Sequence, residues 1–310
     1  MEDEISGEIV VPQAQGRVAE TFQEPPPARA LGIDAHTHLF APGQILGRDQ
    51  IAQGDRTFRE MYANPDAKMV VARQLLEALD EAELDAAVAA GFAFSHEPDL
   101  LEQNEYLIEA ARVSGGRIIP IATINPALPG WERVAQHAID LGARGFGELR
   151  PHNQGWDPLG EQSRRLCNLA REANLVLLWH CSEPVGHHYP GKAGGIEPAE
   201  LVALATDFPG LGMIAAHLGA GAAFYLQMPE VRAAIDSVYF DTAAASLLYD
   251  EKSVSRLVDF AGPERVLFGS DYPLLSPRRQ IQRLAAQLPG PVLEAVSGGN
   301  ARRLFSEYGN

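Results

Sequence analysis

The chain is poor in cysteine, in positive charge and in long apolar runs. Two cysteines, Cys167 and Cys181, among 310 residues are too few for a disulfide framework or a cysteine-rich zinc site. Free thiols of this kind pack as small apolar groups, and a reducing compartment suits them. No apolar run approaches the ~18 residues of a membrane span. The first ten residues, MEDEISGEIV, are acidic, where a secretory signal is basic and then apolar. A cytoplasmic location without a membrane partner is expected. Only 25 Lys and Arg stand against 41 Asp and Glu, a net charge of −16. Such a field repels phosphate backbones, so no nucleic-acid partner is expected and a small-molecule substrate is.

What is present is the composition of a globular protein, 46% hydrophobic and 21% charged. By length alone 310 residues make about two domains, yet one α/β barrel commonly takes ~250. Residues 1–30 are acidic and then proline-rich (QEPPPARA), without sustained periodicity, and read as an N-terminal extension. From residue 31 to 310 short apolar runs alternate with segments of helical spacing. The runs lie at 31–40, 85–93, 117–126, 143–151, 174–182, 211–219, 237–244 and 265–273. Several are nearly all apolar, as parallel strands buried on both faces should be. Eight strands alternating with helices predict an α/β fold, a closed (β/α)8 TIM barrel. No G-x-G-x-x-G follows the first strand, which disfavours an open dinucleotide-binding sheet. Barrels of this kind often associate, and a homodimer is expected. Two long loops, 41–64 and 182–198, follow the first and fifth strands. They are expected to cap a pocket at the C-terminal mouth.

Ionisable residues recur at the ends of the apolar runs: His36 and His38 at the first, Glu148 and Arg150 at the fourth, His180 at the fifth, His217 at the sixth and Asp271 at the eighth. Alternation puts His36 and His38 on one strand face, and the strand ends of a barrel converge. Any one of these residues alone reads as a hydrogen-bonded core histidine or a turn former. Their recurrence in register with the strands reads as a metal site instead. Four imidazoles and two carboxylates suit Zn2+ above all, with Mn2+, Fe2+ and Co2+ acceptable, as one or two divalent ions. A metal there lowers the pKa of bound water toward ~7. Arg150, on the pocket face, is able to fork to a substrate carboxylate. His187, His188, Tyr189 and Lys192, in VGHHYPGK, are candidate donors to a substrate oxyanion or carboxylate. Asp241, ending the seventh run, reads as a hydrogen-bond holder.

DAHTHLF, the histidine ending the fifth run, AHLGAG, GSDYPL and the closing GNARRLF together resemble the amidohydrolase superfamily. More narrowly they resemble its amidohydrolase-related branch, which includes the aminocarboxymuconate semialdehyde decarboxylase type. The resemblance covers residues 31–306. It implies that His36, His38 and Asp271 ligate the more buried metal and that His180 and His217 face a second metal or the reacting carbonyl. It further implies that Asp271 takes the proton from metal-bound water and returns it to the leaving group. Glu148 departs from the carboxylated lysine of many two-metal members and resembles the bridging carboxylate of TatD-like and some lactonase-like ones. The structural alternative is an ion pair with Arg150.

Glu148 therefore makes a metal-dependent hydrolase of the amidohydrolase type the leading expectation, acting on an amide, lactone, ester or activated C–C bond with Asp271, His217 and Arg150 as catalytic residues. The alternative is a metal-dependent non-oxidative decarboxylase of an unsaturated or aromatic carboxylic acid. A TatD-like nuclease is disfavoured by the −16 charge, and a non-catalytic barrel by the intact ligand positions.

Overall fold

A computed structural model describes residues 32–308. The extension expected at 1–30 lies outside the described residues, as do 31, 309 and 310 at the edges of the expected barrel. Eight strands appear where the apolar runs place them: β1 Ile33–His38, β2 Ala86–Ala90, β3 Ile118–Ala122, β4 Gly145–Leu149, β5 Val176–Trp179, β6 Met213–Ala215, β7 Val238–Asp241 and β8 Val266–Leu267. They form one parallel sheet in sequential order. The Ala35 amide donates to Phe268 O (2.7 Å) and the His38 amide to Tyr272 O (2.7 Å), so β1 meets the β8 segment and the sheet curls back on itself as a (β/α)8 barrel.

Two apolar layers hold it. Inside, Ile33, Ala35, Val88, Ile121, Leu178, Ile214 and Leu267 form one cluster, closed at one end by Ala301, Leu304 and Phe305 of the helix Asn300–Glu307. Outside, helices such as Ala72–Ala82, Trp131–Leu141 and Ser253–Ala261 lay apolar faces on the strands. Each fully buried Leu or Phe contributes about 1.5–3 kcal/mol relative to exposure.

The ladder is irregular at two places, both beside the ionisable residues. Between β1 and β2 the register shifts between Asp34 and Thr37, and between β4 and β5 it shifts between Phe146 and Leu149. Bulges re-aim side chains. Ala35 packs in the inner cluster, and its neighbour His36 still turns to the site. Phe146 packs in the outer layer, whereas Glu148 turns inward to the histidines. Glycine at 147 permits this approach, because a Cβ there would sit 2.6 Å from Leu178 Cβ.

The stretch 41–64, expected as a loop, is instead three short helices, Pro42–Leu46, Arg48–Gly54 and Arg56–Tyr62. The Asp55 side chain caps the third by accepting from the Phe58 amide (2.9 Å). Phe58 and Tyr62 then interlock with Phe40, Phe92 and Phe94 at centroid distances of 4.9–6.3 Å. The loop was hard to read as helical because each helix spans two turns or fewer, too short to show a period.

Candidate active site

The strand ends bring all six expected metal-site residues together. His36, His38 and Asp271 form one group and Glu148, His180 and His217 another, with the donor atoms of each group within 4.8 Å of one another. His217 and Asp271 hold left-handed backbone conformations (φ 57° and 62°), uncommon for residues with a side chain and concentrated at functional sites. Their surroundings fix these angles. Asp241 Oδ1 accepts from the amides of His217 (2.9 Å) and Ala243 (3.0 Å), and the Asp271 amide donates to His36 O (3.0 Å).

The outer nitrogens of three of the four imidazoles are engaged by the scaffold. His36 Nδ1 donates to Asp241 Oδ2 (2.7 Å), His38 Nδ1 to Gly91 O (3.3 Å) and His217 Nδ1 to Ala243 O (3.1 Å). Asp241 is thus the holder expected of it. With Nδ1 donating outward, Nε2 of each ring points into the site. His36 Nε2 and His38 Nε2 lie 3.1 Å apart, and His217 Nε2 lies 3.1 Å from His180 Nδ1. Backing a ring with a carboxylate or carbonyl in this way is how proteins orient metal-binding histidines.

The electrostatics favour cations. Burial alone would lower His36, but Asp241, with Glu148 and Asp271, lifts it to about 10. Burial likewise works against His217, which Glu148 and Asp271 lift to about 9. Asp271, which burial would raise, is held down at about 2 by His38, His36 and His217. Burial would raise Glu148 too, yet His180, His217 and His36 keep it well below the usual carboxylate range. His180 is lowered, first by burial, and its Nε2 is buried without a hydrogen-bond partner. The cluster therefore draws protons onto converging imidazoles at neutral pH, and one donor is left with no partner. A divalent cation fits this arrangement, as it would satisfy the same lone pairs and carboxylates.

Glu148 reaches both groups. Its Oε1 lies 2.8 Å from His180 Nδ1, 3.2 Å from His217 Nε2 and 3.8 Å from His36 Nε2; its Oε2 lies 3.8 Å from His38 Nε2. The alternative ion pair with Arg150 is not formed. Arg150, 2% exposed, donates through Nη2 to Gly191 O (2.6 Å) and Ala193 O (2.8 Å) and through Nη1 to Met61 Sδ (2.7 Å).

The cluster floors a cavity of about 610 Å3, the size of a small-ligand site. Phe92, Leu247, Leu248, Pro273 and Leu274 contribute apolar wall, and Tyr62 and Arg150 bring polar atoms. A larger hollow of about 790 Å3 lies at the opposite end of the barrel, around Ile33, Ile118 and Phe305. It is remote from the histidines, at the end that barrel enzymes do not use for chemistry.

The four loop candidates divide. His187 and Tyr189 line the cavity. His188 is exposed and does not line it, and Lys192 turns into its own loop, donating to Val185 O and to His187 O (2.9 Å). His188 and Lys192 thus stand outside the cavity lining, the Lys192 ammonium amid backbone carbonyls of its own turn. Sequence reasoning missed three contributors. Asp34, in the DAHTH motif itself, accepts from the amides of Ser270 (2.9 Å) and His36 (3.3 Å), and burial lifts its carboxyl to about 7. Tyr62 carries no motif. Glu183 accepts from both Tyr189 (3.2 Å) and Tyr249, tying the 182–196 loop to the segment after β7.

The amidohydrolase family model matches residues 33–306. The chain belongs to that family. A search of curated proteins finds no match. Among solved structures it is similar to 5-carboxyvanillate decarboxylase from Sphingomonas paucimobilis (15% identity, TM-score 0.73, 89% of this chain and 99% of the other). It is also similar to the Novosphingobium aromaticivorans 5-carboxyvanillate decarboxylase complexed with manganese and 4-hydroxy-3-methoxy-5-nitrobenzoic acid (16%, 0.70, 90% and 96%). A third is the 2,6-dihydroxybenzoate decarboxylase from Rhizobium (14%, 0.66, 89% and 98%). At these identities the likeness is one of fold. No helix among the described residues is long and apolar enough to cross a membrane.

Proposed function

We propose that this amidohydrolase is a metal-dependent non-oxidative decarboxylase of an aromatic carboxylic acid. The observation that carries the reading is the apolar-walled cavity of about 610 Å3 opening onto a floor of four imidazoles and two carboxylates. Such a cavity is suited to one substituted ring. Similarity in fold to three aromatic-acid decarboxylases supports it. The alternative drawn from the sequence thus takes precedence over hydrolysis.

His36, His38 and Asp271, with His180, would hold the cation, and Zn2+ or Mn2+ both suit those donors. When bound, the metal supplies positive charge that orients an acid and stabilises negative charge on it. The remaining work falls to the chain. Asp241 and Ala243 O fix the ring orientations of His36 and His217. Phe92, buried, and the other apolar wall residues give a ring an apolar contact surface. Loss of CO2 leaves a carbon that must gain a proton, and His217 and Asp271, both lining the cavity, are the acid–base groups for that transfer. Two buried reduced cysteines support a cytoplasmic setting.

One observation favours hydrolysis as the second reading: Glu148 reaches both ligand groups, as a carboxylate bridging two cations would. The deciding experiment incubates Mn2+- and Zn2+-loaded protein with hydroxylated benzoic acids and with aryl esters, lactones and amides. CO2 release without hydrolysis is expected. Hydrolysis of any of the latter group with no CO2 from the acids would overturn the proposal.

A further inference from the structure

The hollow at the far end of the barrel joins an apolar lining to cationic side chains. It measures about 790 Å3 and lies among the helix Glu97–Val113, the start of β3, the helix Trp131–Leu141 and the helix Asn300–Glu307. Ile33, Ile108, Ile118 and Phe305 line it, and Leu141 on its wall is 44% exposed. An apolar recess of this size open to water favours an occupant.

The charged groups around it are unevenly matched. Arg112 donates to Glu109 (2.7 Å) and His137 pairs with Glu105 (3.0 Å). Arg144, half-buried, has no such partner. Its Nη2 donates to Phe305 O (2.6 Å) and Tyr308 O (3.1 Å), and its Nε is sealed from solvent without a hydrogen bond. No carboxylate of the described residues acts on it, since burial alone lowers its pKa. A guanidinium partly removed from water and left without an opposite charge gains from a carboxylate beside it.

The chain carries such a group on a tether that begins at the hollow. Gly32 donates its amide to Asp85 Oδ2 (2.7 Å), and the next residue, Ile33, is already part of the lining. Residues 1–31, outside the described residues, therefore join the barrel at this edge. They bear Glu2, Asp3, Glu4, Glu8, Glu20 and Glu24 against Arg17 and Arg29, a sign opposite to that of Arg144. Glu8 stands directly before Ile9, Val10 and Val11, the longest apolar run of the segment. An acid followed by branched apolar side chains is the pattern that a guanidinium beside an apolar recess accepts. Reach is no obstacle, because the chain from Val11 to Gly32 extends to ~70 Å. Tethering also supplies the segment at an effective concentration of order millimolar, which a free ligand would have to match.

We infer that the hollow is the seat of the chain's own N-terminal segment, with Ile9, Val10 and Val11 covering the apolar lining and Glu8 paired with Arg144. The assignment is independent of the reaction proposed at the other end of the barrel.

The test is disulfide trapping in the full chain. Val10→Cys with Leu141→Cys, treated with diamide, should give a disulfide within one chain, read as faster migration on a non-reducing gel. The control pairs Val10→Cys with Val185→Cys, a position 73% exposed on the 182–196 loop, and should give at least tenfold less. Adding Glu8→Lys to the first pair should lower its yield several-fold. Equal yields at 141 and 185, or no disulfide within the chain at 141, would overturn the inference. A disulfide between two chains at 141 would overturn it in favour of a second copy as the occupant. If the paired-cysteine chain does not fold, Val10→Asp in the otherwise unaltered chain decides. Amide exchange across 113–119 and 141–145 should quicken at least threefold in that variant, and unchanged exchange there overturns the inference.

Discussion

The floor of the cavity is positioned by strand ends, whose side chains follow the backbone ladder and its two register shifts. The roof, residues 182–196, is held by side chains bonding to the loop: Arg150 to Gly191 O and Ala193 O, Ser182 Oγ to Lys192 O (2.5 Å), and Glu183 to Tyr189 and Tyr249. Floor residues are almost fully buried, whereas His187 and His188 on the roof are exposed. A buried base thus presents the candidate ligands and a more exposed cover overlies them, the division that barrel enzymes exploit. Perturbing the floor should abolish turnover, and perturbing the roof should change affinity.

The largest effect is expected at Asp271. Asp271→Asn keeps its size and a ligating oxygen but loses acid–base capacity, so kcat should fall about 10²–10⁴-fold with metal content largely retained. Undiminished kcat would remove Asp271 from the chemistry. Next comes Asp241→Asn, which leaves His36 without its carboxylate partner. Metal affinity should weaken about 10–100-fold, read by competition with a chelator. Gly147→Ala tests the close approach on which the β4 shift depends. The added Cβ, 2.6 Å from Leu178 Cβ, should cost about 1–3 kcal/mol in denaturant unfolding. On the roof, Glu183→Gln should raise KM only a few-fold with kcat held, and amide exchange should quicken across 183–193 alone.

The floor also predicts a pH signature. His36 and His217 are lifted from 6.5 to about 10 and about 9. In the metal-free chain their contribution is complete below pH 6.5 and is lost as pH rises through 9 to 10. Asp271 is lowered from 3.8 to about 2. Its contribution is present above 3.8 and is lost as pH falls through 2. The metal-free Tm should therefore peak between about pH 4 and 6.5 and decline on the alkaline side. Metal-loaded protein should lose stability on the acid side instead, where protons compete for the imidazoles. Identical Tm profiles with and without metal would contradict this.

Legibility in the sequence follows the same division. The eight strands, the barrel and the six ligand candidates could be read because a buried parallel strand must be apolar and an ionisable residue at its end stands out. Asp241's role was readable for the same reason. Glu148 was readable by position, but the register shift that turns it from the side of Phe146 toward the histidines was not, since alternation alone describes a regular strand. The roof was the least legible part. Lys192 and His187 look equivalent in VGHHYPGK, and only the folded loop separates the carbonyl-capping ammonium from the cavity-lining ring. Tyr62 was hidden because its helix is seven residues long and its contacts are with aromatic rings distant in sequence.

The most direct test of the metal floor is metal content per chain by plasma mass spectrometry, on the wild type and on Glu148→Ala prepared identically. At least one tightly held divalent ion in the wild type is expected. If Glu148 bridges two cations, the variant should lose one; if it only orients His180 and His217, both proteins should hold one. A folded wild-type chain that retains no divalent ion after exposure to Zn2+ or Mn2+ would contradict the assignment of the strand-end cluster as a metal centre.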